Sequence, residues 1–478
     1  MFKYLTKWWT VLFTIAGFAA LSISNPSFIQ SLEGLTGFDK AAFVAVHEQR
    51  DQITSVRLNE SKPFELSHHP FLHQITQVPW CTNGYYLQDR PLFVQDPLWH
   101  AGAYYVQEAS SMFLHTILSQ LAETEKYYKV LDLCAAPGGK TTLLANYFKN
   151  GLVVANETIK SRNAILEENC IRWGSDHIVV TQNDPSHFKA LPNFFDFIVA
   201  DAPCSGSGLF RKDPSAIEGW SLDLVALCAQ RQQRILADAI PTLSEGGVLI
   251  YATCSYDPHE DEMIADWLVQ EMGLTPLPID VNPAFGIVET TANKSGAPGY
   301  RFYPDQIKGE GFFIAAFKKE KEVGTALTSF KSKEAVLEKL TKKMQEQVAE
   351  VLPANDTIAT FLQSGMIKAI PAVFESSILQ LASQLYIKKA GVSVGELKGK
   401  DFIPAHEYAL SYLPLDIFNK VDLDKEQALS YLRRADFNCS GEKGWNLMRY
   451  NGLGLGWAKI LPNRTNNYYP QEWRILKA

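Results

Sequence analysis

Two thiols and a carboxylate stand where they could share one crevice. Cys204 lies in Asp201-Ala202-Pro203-Cys204-Ser205-Gly206, and Cys254, 50 positions later, lies in Tyr251-Ala252-Thr253-Cys254-Ser255. A thiolate is a strong carbon nucleophile, and an acid beside it can move a proton to or from the group under attack. A third segment adds a ligand cradle. In Cys134-Ala135-Ala136-Pro137-Gly138-Gly139-Lys140 the small residues let the backbone approach a bound molecule closely, and a helix starting near Thr141 would aim its N-terminus at it. This is not a polyphosphate loop of the Gly-x-x-x-x-Gly-Lys-[Ser/Thr] kind, because Cys134 stands where the first glycine is required.

These segments need strands to position them. Each follows a short apolar run that reads as a buried strand: Val130–Leu133, Phe195–Ala200 and Val248–Tyr251. In an open α/β sheet, residues just past the carboxyl ends of the strands converge on one edge. Leu152–Asn156 reads as a further strand ending at Glu157, roughly 20 residues beyond the glycine turn, the spacing at which an acid grips ribose hydroxyls. Ile178–Thr181 leads likewise to Asn183 and Asp184, placed to read an adenine amino group. Acids at successive strand ends suit a sugar and a cation better than a polyphosphate, and S-adenosylmethionine offers both.

The chain has 478 residues, 46% of them apolar and 20% charged, too long for one ordinary core. Strands alternating with helical stretches from Lys129 to Lys318 predict a doubly wound α/β sheet, closed by antiparallel strands around 309–317. We divide the chain into an apolar extension (1–24), an α+β domain (25–104), a catalytic domain (105–319), a charged linker and helix (320–355), a middle domain with a hairpin (356–413) and a C-terminal region (414–478). The run from Trp8 to Ile23 is uncharged but shorter than the roughly 20 residues a spanning helix needs. It reads as an extension or a start-site artefact, with a membrane tether and a core helix as alternatives. A net charge of −7 argues against a uniformly basic coat and leaves room for a local basic face. The seven cysteines form no disulfide framework or zinc pattern, so a reducing cytoplasm and no metal are expected.

The segments Asp132–Thr141, Asp201–Pro214 and Tyr251–Ser255 resemble the signature motifs of the Sun-type RNA cytosine-5 methyltransferases, and the resemblance extends over nearly the whole chain. At the C-terminus, Ala428–Arg433 and Tyr468–Arg474 are similar to the PUA-like RNA-binding end of the branch acting on small-subunit (16S) ribosomal RNA. One departure stands out: Asn466-Asn467 precedes Tyr468-Tyr469-Pro470 where the family carries Lys-Asn, so a cation is lost. The resemblance implies a Rossmann-like S-adenosylmethionine-dependent fold and an RNA partner, with no DNA and no second subunit. It implies that Cys134, Ala135, Ala136, Pro137, Gly138, Gly139, Lys140, Glu157, Asp184 and Asp201 bind the cofactor. It also implies that Cys254 is the nucleophile, that Asp201 holds the base, that Cys204 assists release and that Lys140 aids proton transfer. Were Cys204 the nucleophile, as the Pro-Cys element is in DNA cytosine-5 enzymes, Thr253-Cys254 would have no task. A transfer RNA methyltransferase, a silent RNA-binding assembly factor and a small-molecule methyltransferase are the alternative functions.

Further cations are expected to clamp phosphates at the crevice mouth: Arg57 with Asn59, and Arg211, Lys212 and Lys308. In the tail, Trp445, Tyr450, Trp457, Lys459, Arg464 and Arg474 combine aromatic faces with charge, although Trp445 and Trp457 at strand spacing read more readily as core.

Overall fold

The computed structural model describes residues 25–476 apart from positions 50, 68, 321–336, 353–355, 400, 436 and 438. The apolar extension and most of the charged linker lie outside the described residues. Among those residues no helix is long and apolar enough to cross a membrane.

A mostly parallel sheet organises the molecule. Its strands are β1 (Lys129–Asp132), β2 (Leu152–Asn156), β3 (Ile178–Thr181), β4 (Phe195–Asp201), β5 (Leu243–Thr253), β6 (Thr275–Leu277), β7 (Val288–Thr291), β8 (Pro298–Phe302), β9 (Phe312–Lys318) and β10 (Ile387–Ala390). Across the sheet the order is β7-β8-β9-β5-β4-β1-β2-β3-β10, with β6 added on β9. Strands β1 to β5 run parallel, and β9 runs antiparallel to β5. Connections leave β1 toward β2 on one side while β4 lies on the other, so a crevice opens between the carboxyl ends of β1 and β4. Val130, Leu131, Val153, Val154, Ile198 and Val199 are fully buried, as both-face coverage by helices demands. Each such side chain contributes about 1.5–3 kcal/mol by leaving water.

The helices that bear on the site are α1 (Gly139–Tyr147), α2 (Lys160–Trp173), α3 (Leu222–Ala239) and α4 (Glu262–Gln270). Gly138 opens α1 at φ +112°, a backbone conformation that a side chain would strain. Ser221 caps α3 by accepting from the Leu224 amide, and Gly174 ends α2 in the left-handed region.

The N-terminal region forms a four-stranded antiparallel sheet from Thr54–Leu58, Ile75–Gln77, Gly84–Leu87 and Tyr104–Val106. Its two leading helices, Pro26–Leu32 and Lys40–Gln49, pack on the catalytic domain: Phe28 meets the rings of Phe210 and Trp220 at 5.1 and 5.3 Å. The C-terminal part holds a five-stranded sheet between 338 and 404 and a four-stranded sheet between 419 and 467. These share a core in which Trp457 lies against Phe418 and Tyr408.

The middle piece contains the expected hairpin, Ile358–Gln363 with Met366–Pro371, but it is not self-contained. Its strand β10 pairs antiparallel with β3 of the catalytic sheet, and Phe374, Ile378 and Leu381 join the catalytic core. The physical reason lies in β3, whose otherwise open edge would present unpaired backbone groups.

Candidate active site

The crevice at the β1/β4 ends is a cleft of about 290 Å³. Cys134, Ala135, Ala136, Pro137, Gly139 and Lys140 form one wall, Asp132 and Asp201 line it, and Cys254 opens into it. Tyr105, Gln107 and Phe312 complete the lining. Gly139 lies beside Tyr105 and Gln107: a Cβ there would make ordinary contact, 3.4 Å from the Tyr105 ring and 3.5 Å from Gln107.

Lys140 is buried, and its ammonium lies 2.8 Å from Asp201 Oδ2 and 5.0 Å from the centre of the Phe312 ring. Burial alone would lower its pKa, but the adjoining Asp201 carboxylate outweighs it and raises the value, so Lys140 holds its proton. Asp132 is fully buried. Its Oδ2 accepts from Thr141 Oγ1 at 2.7 Å, while its Oδ1 has no partner among the described residues. Burial pushes its pKa up to about 7 despite the Thr141 hydrogen bond and Lys140.

The two thiols meet: Cys204 Sγ lies 3.0 Å from Cys254 Sγ. Cys254 lines the cleft, and Cys204 sits behind it. The hydrogen bond to Cys254, together with burial, drives the Cys204 thiol well above the usual range and keeps it protonated. A dense network fixes both loops. Glu260 accepts from the Ser205 amide and hydroxyl at 2.8 and 2.5 Å, from the Ser255 hydroxyl at 2.8 Å and from Gln232 at 3.1 Å. Thr253 donates to Asp261 at 2.6 Å, and Asp261 is in turn 3.1 Å from the buried Arg301. The Gly208 amide donates to the Cys254 carbonyl at 2.9 Å, and the Gly311 amide donates to the Gly208 carbonyl at 3.0 Å. A Cβ on Gly208 would fall 2.3 Å from the Gly311 carbonyl oxygen, so only glycine allows these three segments to lock together.

Besides Cys204, three residues singled out in the sequence stand beside the cleft rather than in its lining. Gly138 opens α1. Glu157 is buried at the end of β2, accepts from the Ile159 amide at 2.9 Å and pairs with Arg162 at 3.2 Å. Arg162 also donates to the Ala136 carbonyl at 2.9 Å, which ties this acid to the glycine turn. Asp184 accepts from Ser186 at 2.7 Å and lies 3.4 Å from Arg234.

Three of the expected phosphate clamps are corrected. Arg57 is 2% exposed and donates to Gln107 Oε1 at 2.8 Å, Thr142 Oγ1 at 2.6 Å and the Gly139 carbonyl at 3.3 Å. It welds the N-terminal sheet to α1, and burial lowers its pKa to about 10. Asn59 is buried and donates to the Gly102 and Trp173 carbonyls. Arg211 is buried in a two-pronged pair with Glu310 at 3.0 and 3.2 Å. Lys212 and Lys308 are exposed, and Lys212 lines the cleft. In the tail, Trp457 is core at 1% exposure, whereas Arg464 and Tyr468 line a concavity of about 830 Å³ with Arg434 and Asn467.

Sequence reasoning leaves out Asp132, Glu260 and Phe312. Asp132 is the acid at the carboxyl end of β1, and the strand-end argument used for Glu157 and Asp201 applies equally to it. Glu260 and Phe312 carry no local signal: apart from Ser255, the partners that give them their roles, Ser205 and Gln232 for Glu260 and Lys140 for Phe312, lie far along the chain.

The glycine turn after β1, the β3-β2-β1-β4-β5 order and the antiparallel β9 define the class of the protein, a Rossmann-like methyltransferase fold, here with paired thiols at the sheet edge. Comparison with known proteins narrows the class. Residues 118–318 match the model of the 16S rRNA methyltransferase RsmB/F family, residues 25–109 that of the N-terminal domain of 16S rRNA methyltransferase RsmF, and residues 418–475 that of the methyltransferase RsmF PUA domain. The ribosomal RNA small subunit methyltransferase F of Aeromonas salmonicida is 31% identical over 436 residues, 87% of this chain and 90% of its own. The enzyme of the same name from Shewanella piezotolerans is 30% identical over 405 residues, 83% and 84% of the two chains. A solved methyltransferase homolog from Pyrococcus horikoshii superposes with a TM-score of 0.50 at 27% identity, covering 62% of this chain and 99% of that one. The chain belongs to the 16S rRNA methyltransferase RsmB/F family, in its ribosomal RNA small subunit methyltransferase F branch.

Proposed function

We propose that this protein transfers a methyl group from S-adenosylmethionine to carbon 5 of a cytosine in small-subunit ribosomal RNA in the cytoplasm, through a transient bond between Cys254 and the base. One observation carries the reading: Cys254, Asp201 and Lys140 line a single cleft with the glycine turn, and Cys204 touches Cys254 from behind. The relatives' names supply the RNA.

The residues present suit the cofactor. Asp132 offers a buried oxygen without a partner, a match for a cationic amino acid group, and the wall from Ala135 to Gly139 leaves the room that larger side chains would fill. Glu157 and Asp184 stand at the next two strand ends, where a ribose and an adenine would lie. When bound there, the cofactor supplies an electrophilic methyl group.

Carbon 5 of cytosine is a poor nucleophile until a thiolate adds to carbon 6. The Cys254 sulfur forms that bond. The C5–C6 electron pair moves to C4–C5, the C4–N3 pair moves onto N3, and N3 takes a proton that Lys140, 2.8 Å from the Asp201 carboxylate, passes through that carboxylate. The C4–C5 pair then makes the bond from carbon 5 to the methyl group as the N3 pair re-forms C4=N3. Left neutral, Lys140 accepts the proton that carbon 5 loses, and N3 returns its own proton through Asp201 to solvent. The released C5–H pair re-forms C5=C6 as the bond from carbon 6 to Cys254 breaks. The Cys204 thiol, 3.0 Å away, donates to the departing sulfur.

Bisulfite sequencing of total RNA from cells lacking the gene tests the assignment. Loss of one methylated cytosine in small-subunit ribosomal RNA is the expected result; unchanged ribosomal RNA with a loss confined to transfer RNA would overturn it.

A further inference from the structure

A second groove, of about 250 Å³, lies between the segment from Arg90 to Val106 and helix α2. We propose that it holds an unpaired RNA nucleotide flanking the target cytosine, an inference that rests on the function proposed above. Tyr105 and Val106 line both this groove and the active-site cleft, so a strand whose base enters the cleft passes directly to it.

The lining has the chemistry of base capture. The Arg90 guanidinium sits 5.6 Å over the Phe93 ring, and both belong to the groove. The Arg172 guanidinium lies 4.2 Å from the Trp99 ring centre and 5.4 Å from that of Trp473. Arg172 is only 7% exposed, and its Nε is buried with no hydrogen-bond partner among the described residues. Its remaining nitrogens are held by Asn169 and Glu168, which fixes the plane of the guanidinium. Asn169, in the same groove, also donates to the Pro137 carbonyl of the glycine turn at 2.8 Å, so the groove and the cofactor wall share a support. Flanking Phe93 in the chain, Leu92 and Val94 are left 71% and 39% exposed.

Aromatic faces and flat guanidinium groups alternating along a groove stack nucleobases with little regard to sequence, and the positive charge suits a phosphate backbone. Phosphate alone would not call for the half-buried rings of Phe93, Trp99 and Tyr105. A base with its attached phosphate uses both kinds of side chain.

The test compares the full-length protein with its Arg90→Ala/Phe93→Ala double variant on small-subunit ribosomal RNA from cells lacking the gene. Losing one stacked base should raise KM for RNA about 10-fold, with kcat within about twofold and cofactor affinity unchanged. Phe93→Tyr, which keeps the ring, should retain the parental KM. A second measurement is independent of variant folding. With 4-thiouridine placed next to the target cytosine, wild-type protein should cross-link within residues 90–106. An active wild type whose double variant keeps its KM, or cross-links confined to other segments, would overturn the groove assignment while leaving the proposed function standing. Failure of the wild type to methylate this RNA would instead bring down both.

Discussion

Replacing Asp132 with asparagine should remove a large pH dependence from the stability of the catalytic domain. Asp132 is fully buried, with one oxygen accepting from Thr141 at 2.7 Å and the other without a partner among the described residues. Burial raises its pKa from 3.8 to about 7. The unfolded chain therefore ionises this acid from 3.8 upward, while the folded protein keeps it protonated until about 7. Its contribution to stability is intact below the lower value and is lost as pH rises to the higher one. That interval corresponds to about 4 kcal/mol. Asparagine preserves an acceptor for Thr141 but puts an amide where the unpartnered oxygen was, at a cost of about 1–3 kcal/mol at any pH. The variant should thus be about 1–3 kcal/mol less stable than the parent near pH 4 and about as much more stable near pH 8. Urea denaturation of the cofactor-free proteins across this range gives the difference curve. Parallel curves for parent and variant would refute the reasoning. Because a cationic ligand favours the ionised acid, cofactor affinity of the parent should also rise through about pH 7, and that rise should vanish in the variant.

Gly208→Ala brings a Cβ to 2.3 Å from the Gly311 carbonyl oxygen and 2.9 Å from that of Cys254, so the nucleophile's loop must shift. We expect kcat to fall about 100-fold with cofactor affinity retained, measured by methyl-transfer kinetics and calorimetry. Arg57→Ala should destabilise the protein by about 1–3 kcal/mol in denaturant, the cost of leaving buried acceptors without a donor, and leave the salt dependence of RNA binding unchanged, since the guanidinium is buried against Gln107 and Thr142 rather than free for phosphate. His406 is held neutral by burial, its pKa lowered from 6.5 to about 3, and neither ring nitrogen has a partner among the described residues. Its stability contribution is present above 6.5 and lost as pH falls toward about 3. His406→Phe should therefore recover about 2 kcal/mol relative to the parent on going from pH 7 to pH 5, read by denaturation at the two pH values.

The parts of the site legible in the sequence are those whose neighbours are local. Cys134 to Lys140, Asp201 and Cys254 each follow a buried strand by a few residues, and a parallel sheet brings such positions to one edge whatever the rest of the chain does. Charge type, in contrast, says nothing about burial. Arg57, Asn59 and Arg211 looked like RNA contacts by composition, yet each finds its partners 43 or more positions away, in Gln107, Gly102 and Glu310, and becomes a structural tie. Strand β10 was hidden for a similar reason. Ile387–Ala390 lies more than two hundred residues from β3, and only the need to cover that edge places it there.

The account depends most on Cys254 forming the bond to the base. RNA carrying 5-fluorocytosine in place of the target blocks loss of the carbon 5 substituent and should trap the protein as a covalent complex resistant to denaturation. The wild type should yield the adduct, Cys204→Ala should accumulate it, and Cys254→Ala should give none. An adduct that survives Cys254→Ala and disappears in Cys204→Ala would contradict the account.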